Sequence, residues 1–220
     1  VKLHSYWRST SAWRVRIVLA LKNVPYEYAP VNLSPSASEQ HTASYAEVNP
    51  YRQVPVLEWV QDGHVVRLGQ SMAIAEYLDE RYPDPPLLPG DRIVRAYVRQ
   101  AVEIINSGVQ PLQNLRVLTA VRRMGGDDEA TRWSRGVIAD GLDALETLAR
   151  ARAGKFSVGD DVSLADVYLV PQMYNARRFG IDLAPYMRLL AVEARAAILE
   201  PFVRAHPDRQ PDAPTELDES

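Results

Sequence analysis

Residues 54–82 read "VPVLEWVQDGHVVRLGQSMAIAEYLDERY". Two short runs rich in β-branched and aromatic residues, "VPVLEWV" and "HVVRL", flank "QDGH", whose Asp62-Gly63 pair supplies the backbone freedom of a hairpin turn. "QSMAIAEYLDERY" then closes the unit as a helix. Toward the N-terminus, "KLHSY" reads as a strand, the segment running to Lys22 as a helix, and "YEYAPV" as a second strand before a polar loop. The order over residues 1–82 is therefore β-α-β followed by β-β-α, which predicts an α/β domain.

Toward the C-terminus, residues 83–90 read "PDPPLLPG", with four prolines in eight positions. Such a run cannot continue a helix and makes a stiff, extended connector, so the domain boundary is expected here. Residues 91–220 are helical in pattern almost throughout, and Ile138, Leu142, Leu145 and Ala149 fall at the spacing of a buried helix face. Gly125-Gly126 and "AGKFSVGDD" (153–161) are expected to interrupt the helices as turns. Pro207 to Ser220, with three prolines and little apolar content, reads as a surface tail.

The chain has 220 residues, 46% of them apolar and 24% charged, and a formal net charge of −3. That suffices for a substantial core in one large or two small domains, and it carries no basic excess that would argue for nucleic acid. No apolar run reaches the roughly 18 residues of a membrane helix, and no signal-peptide pattern opens the sequence. With no cysteine there is no disulfide framework, and a cytoplasmic location is expected. His4, His41, His64 and His206 are scattered and never at metal-ligand spacing, so neither a metal site nor a histidine-centred active site is expected.

Three element starts carry candidate chemistry. In "RSTSAWRVRIVLALK" (8–22), Ser9, Thr10 and Ser11 stand at a helix entrance. One hydroxyl is enough to cap the helix. Three leave spare donors at the positive end of the helix dipole, where a thiolate would gain both hydrogen bonds and favourable electrostatics. Trp13, Ile17, Ala20 and Leu21 share a face that reads as packing on the sheet, and Arg14 and Arg16 read as solvated or structural. The second start is Val54-Pro55-Val56. A proline belongs at a strand edge or bulge, and a cis bond before it would turn the Val54 backbone outward to pair with a peptide; an ordinary edge-strand proline is the plainer alternative. The third is "GQSMAIAEYL" (69–78), with Ser71 as N-cap, either simply closing the helix or followed by amides that hold a carboxylate. Together the three describe a pocket for a cysteine-containing peptide, and glutathione fits that description. In the helical part, "SLAD" (163–166) reads as a structural capping box and Pro171 as a bend. "NARRFG" (175–180) sets Arg177 and Arg178 side by side, as a charged C-terminal turn or as a carboxylate clamp.

Seven blocks of the chain are familiar: "WRSTSAWRVRIVLALKNVPYEY", "NPYRQVPVL", "QSMAIAEYLDERYP", "GVQPLQNLRVL", "VSLADVYLVPQ", "NARRFGIDL" and "RQPDAPTEL". They resemble the zeta class of glutathione transferases, the maleylacetoacetate isomerases, nearly end to end and in register. The resemblance implies the glutathione transferase fold: a thioredoxin-like α/β N-terminal domain that binds glutathione (1–82), the linker (83–90), an all-α C-terminal domain for the substrate (91–220), and a homodimer. It places Ser9 on the family's catalytic serine and Ser11 on its cysteine, since the family's Ser-Ser-Cys is here Ser9-Thr10-Ser11. By the same resemblance Ser9, Gln40, Val54, Gln70 and Ser71 hold glutathione, with Gln110 and Asn114 near its other side, and Arg8 and Arg178 meet the carboxylates of a dicarboxylate substrate.

The implied reaction is the glutathione-dependent cis-trans isomerisation of maleylacetoacetate in tyrosine catabolism. A related branch, the bacterial maleylpyruvate isomerases, has an arginine at the position of Arg116, whereas Gln110 looks more like the maleylacetoacetate branch, so both substrates stay open. A transferase or dehalogenase of small electrophiles and a non-catalytic binding scaffold are the rival readings. The three hydroxyls and Arg178 speak against the scaffold.

Overall fold

Four short strands form one mixed sheet: β1 (Lys2–Ser5), β2 (Glu27–Pro30), β3 (Val56–Gln61) and β4 (His64–Gly69), in the order β2-β1-β3-β4. The computed structural model describes residues 1–214. The chain divides into two units, one of Val1–Pro85 with the segment that starts at Leu199, the other of Pro86–Ile198.

In the first unit β1 runs parallel to β2 and antiparallel to β3, and β3 runs antiparallel to β4. The hairpin between β3 and β4 turns at Asp62 (φ 52°) and Gly63 (φ 78°), the two positive-φ positions that match the twist of the strands. Helix α1 (Thr10–Leu21) connects β1 to β2, and α3 (Ser71–Arg81) follows β4 and packs beside α1. The expected polar loop between β2 and β3 contains a 3-10 turn (Glu39–His41) and a short helix, α2 (Ala43–Val48), both too short to leave a periodic signature. Leu3, Ile17, Leu57, Ile74 and Leu78 are buried at the centre of this unit.

Helix α1 is buried over almost its whole circumference. Trp13, Ile17 and Ala20 pack as expected, while Leu21 is only half-buried. Arg14 and Arg16 are fully buried, which rules out solvation for both. The cover is α8 (Glu200–Ala205), whose Phe202 and Ala205 are buried and which packs on α1. The expected extent of the helical domain, 91–220, is corrected accordingly, because the segment from Leu199 belongs to the first unit. The expected surface tail is likewise corrected for its first half, since Pro207 and Gln210 are buried and Asp212 is hydrogen-bonded. The rest of that tail, 215–220, lies outside the described residues.

The second unit is helical: α4 (Arg92–Glu103), a wider π-type stretch (Ile104–Val109), α5 (Leu115–Arg152), α6 (Leu164–Arg178) and α7 (Met187–Ala197). Ile138, Leu142, Leu145 and Ala149 are all buried. The backbone leaves helical geometry inside α5 at Gly126 (φ 82°), where only glycine is unstrained. Ser163 and Asp166 form the capping box at the start of α6, and the Asp166 carboxylate also accepts from the Ser157 amide at 2.8 Å.

Candidate active site

The register of the sheet places three element starts at one end. His4 pairs with Val56 and Val56 with Gly69, so the C-terminal end of β1, the approach to β3 and the exit of β4 lie side by side. The first feature there is the entrance to α1. Ser9 is its N-cap: the hydroxyl accepts from the Ala12 amide (3.2 Å) and the carbonyl from the Trp13 amide (2.8 Å). The Ser9 proton finds no acceptor among the described residues, and the Ser11 hydroxyl, half-exposed in the first turn, makes no bond there either. The entrance thus presents hydroxyl donors at the positive end of a twelve-residue helix. Arg8, exposed, stacks its guanidinium over the Trp7 ring at 5.3 Å from the centroid.

The second feature is Val54. Its peptide bond to Pro55 is cis, and sheet pairing on β3 begins only at Val56. Tyr45 Oη and Asn49 Nδ2, from α2 and its C-cap, both donate to the Gln53 carbonyl at 2.8 and 2.7 Å and hold the backbone just before Val54. Val54, Val31 and Tyr45 form a small buried cluster beneath it.

The third feature is the start of α3. Ser71 is the first residue of the helix and not its N-cap; that position is Gln70, with φ 70° and no side-chain cap bond. The Ile74 amide bonds the Gln70 carbonyl at 3.0 Å. A positive φ is costly at a non-glycine residue and persists only where the surrounding structure holds it. Gln40, in the 3-10 turn after β2, adds an acceptor: its Oε1 is buried with no hydrogen-bond partner among the described residues.

The remaining sequence candidates lie in the second unit. Gln110 ends the π-type stretch, Asn114 caps α5 by accepting from the Arg116 amide (3.1 Å), and Arg116 is exposed in the first turn. A buried pair that carries no sequence signal fixes this turn: Gln113 and Gln172 exchange amide bonds at 2.9 and 3.3 Å. In the last turn of α6, Arg177 is held by Glu193 in a two-point contact (2.5 and 2.6 Å), whereas Arg178 Nη1 donates to Asn175 Oδ1 at 3.1 Å.

The family model for the glutathione S-transferase N-terminal domain matches residues 8–81. The mouse maleylacetoacetate isomerase is 47% identical over 98% of this chain and 96% of its own. The chain belongs to the zeta class of glutathione transferases, the maleylacetoacetate isomerase family. A maleylacetoacetate isomerase from Anaeromyxobacter dehalogenans 2CP-1, solved with glutathione in its active site, is 55% identical with a TM-score of 0.89, covering 97% of both chains. The same protein has been solved with dicarboxyethyl glutathione and citrate in the active site. The holo structure of a bacterial zeta-class maleyl pyruvate isomerase is 40% identical with a TM-score of 0.91, covering 97% of this chain and all of its own. The zeta-class fold accounts for the thioredoxin-like first unit and the all-helical second. Among the described residues no helix is long and apolar enough to cross a membrane, and no cluster of His, Asp and Glu is placed to hold a metal ion.

Proposed function

We propose that the protein is a glutathione-dependent cis-trans isomerase of maleylacetoacetate. The observation that carries the reading is the polar edge at one end of the sheet, where among the described residues the Ser9 proton has no acceptor, Val54 stands outside the sheet ladder and the Gln70 side chain makes no cap bond at the start of α3, together with Gln40 Oε1, buried without a hydrogen-bond partner. Those groups match a thiolate, a peptide backbone, a carboxylate and an amide or ammonium donor, the parts of glutathione.

Bound glutathione supplies a thiolate that adds to the cis double bond, so that the carbon-carbon bond can rotate before the sulfur leaves. A free thiol has a pKa near 8.5, so the site must lower it by about 1.5 to 2 units for the anion to dominate at neutral pH. Ser9 donates its proton to the sulfur while the helix dipole adds its field, and Ser11 offers a second hydroxyl. The Val54 backbone and the first turn of α3 hold the peptide and its γ-glutamyl carboxylate, with Gln40, Gln70 and Ser71 around them. Gln110 and Asn114 contribute to the cofactor, and Arg8, Arg116 and Arg178 to the substrate carboxylates; the register of the family resemblance supports these roles. Glu193 holds Arg177 in a two-point contact, and the family resemblance assigns the clamp to Arg178.

A second reading, maleylpyruvate as substrate, is favoured by Arg116. The test is a glutathione-dependent absorbance assay with maleylacetone and maleylpyruvate, run on the native enzyme and on Ser9→Ala. Losing one charge-assisted hydrogen bond to the thiolate costs about 1.5 to 3 kcal/mol, roughly 10- to 100-fold in rate. Full activity in Ser9→Ala defeats the assignment of Ser9, and turnover of neither substrate defeats the isomerase.

A further inference from the structure

The chain between β1 and α1 is only four residues long, yet it must aim the Ser9 hydroxyl. Its backbone is tied down by two side chains, Asp212 from the far end of the chain and Arg16 from the second turn of α1. Asp212 accepts from the Trp7 amide through Oδ2 (3.0 Å) and from the Tyr28 hydroxyl through Oδ1 (2.6 Å). Arg16, fully buried, donates to the Tyr6 carbonyl (3.3 Å), the Trp7 carbonyl (2.9 Å) and Ser5 Oγ (3.1 Å), and its Nε donates to the Ala205 carbonyl in α8 (3.1 Å). The Tyr6 carbonyl also accepts from the Ser9 amide at 3.0 Å. The peptide groups leading into Ser9 are therefore clamped from both sides, one side by the segment that follows α8.

We propose that Asp212 is a positioning residue for Ser9, fixing through the Trp7 amide the loop from which the serine hydroxyl meets a bound thiolate. This rests on the role proposed above for Ser9. Two donors, a backbone N–H and a phenolic O–H, converge on Asp212, and only a carboxylate accepts both at full strength. An asparagine can still accept from Trp7 with its oxygen while its amide donates to the Tyr28 oxygen; an alanine removes the acceptor that the two donors share. The "RQPD" text of the C-terminal segment thereby acquires a task that its composition hides.

The experiment follows the ultraviolet absorbance of the thiolate in enzyme saturated with glutathione, as a function of pH. Asp212→Ala is expected to raise the apparent pKa of the bound thiol by about half to one unit, a three- to tenfold fall in its ionisation constant and, from a starting value of about 6.5 to 7, roughly a 1.5- to 5-fold loss of thiolate at neutral pH. Asp212→Asn and Tyr28→Phe, each keeping part of the contact, give smaller rises. A double variant with Ser9→Ala shows no further rise over Ser9→Ala alone, because Asp212 acts only through the serine. A merely structural role lowers the melting temperature and leaves the thiol pKa where it was. If Asp212→Ala fails to fold, the two milder variants decide: a rise in either supports the proposal and none in both overturns it. A shifted Ser9→Ala beside an unshifted Asp212→Ala overturns the positioning role alone. An unshifted Ser9→Ala overturns the reading of Ser9 and this proposal with it.

Discussion

A hydroxyl accepts and donates at once, and among the described residues Ser9 spends only its acceptor, on the Ala12 amide. In the role proposed for Ser9, capping and catalysis do not compete for the residue: the cap needs the oxygen, and a bound thiolate would take the hydrogen bond of the O–H. The paired arginines at the end of α6 divide their work between residues. Successive side chains on a helix point about 100° apart, so one can pack while the other serves a ligand. Arg177 is the packing member, locked onto Glu193, whose side chain is only 11% exposed. Arg177→Ala should therefore lower stability by about 1 to 2 kcal/mol, discounted for a guanidinium that is itself half-exposed, and leave KM nearly unchanged. Arg178→Ala should do the reverse, raising KM for maleylacetone by about 10- to 100-fold while glutathione affinity and conjugation of a neutral aryl halide hold. Thermal melts beside steady-state kinetics on both variants check the division; a KM defect in Arg177→Ala sinks it.

Between residue and domain, the elements show which signals a sequence carries. The β3-β4 hairpin was legible because Asp62-Gly63 is a local requirement of the turn, and the capping box because Ser163 and Asp166 are three apart. The start of α3 was legible to within one residue: Ser71 looked like the cap, but the unusual φ of Gln70 comes from the chain around it and has no signature in residue type. The close approach of α5 to the π-type stretch was illegible, since Gly141 reads as a weak helix residue. In the structure a Cβ there would collide with the buried Val109 side chain. Gly141→Ala gains up to about 1 kcal/mol of helix propensity but overpacks the contact, which costs about 1 to 3 kcal/mol. Net destabilisation is expected, and pairing it with Val109→Ala should return about 1 kcal/mol or more as coupling in a double-mutant cycle, measured by urea denaturation. Simple additivity of the two would show that the helices are not in contact there.

Across the whole molecule, the division at Pro85–Pro86 falls inside the proline run that the sequence offered, but the return of the segment from Leu199 to the first unit does not show in its composition. Helicity and proline content are local, whereas the reason for the return is the buried Arg16 and the cover that α8 gives α1, contacts made across nearly two hundred residues. That return also shapes the pH response of the fold. His206, just after α8, packs the edge of its ring on Trp13, and His4 on β1 sits between Tyr45 and Glu58. Burial holds both imidazoles below their ordinary pKa of 6.5, against the raising effect of Asp208 on one and Glu58 on the other. Lys2 and Arg67 add to the lowering at His4, as Arg16 and Arg209 do at His206. The unfolded chain therefore takes up protons near 6.5 that the folded one refuses, so stability is complete above that pH and falls as pH drops through it toward the folded values. Glu58, drawn below its ordinary range by the Arg67 hydrogen bond, has the opposite chemistry but the same sign: its contribution is present above its unfolded pKa of 4.5 and is lost only lower still. Melting temperatures from about pH 8 to about pH 5 should fall, and more gently in His4→Gln and His206→Asn, the second retaining a cap acceptor for the turn that follows. An unchanged slope in the double variant would assign the loss to other groups and remove the histidines from the account.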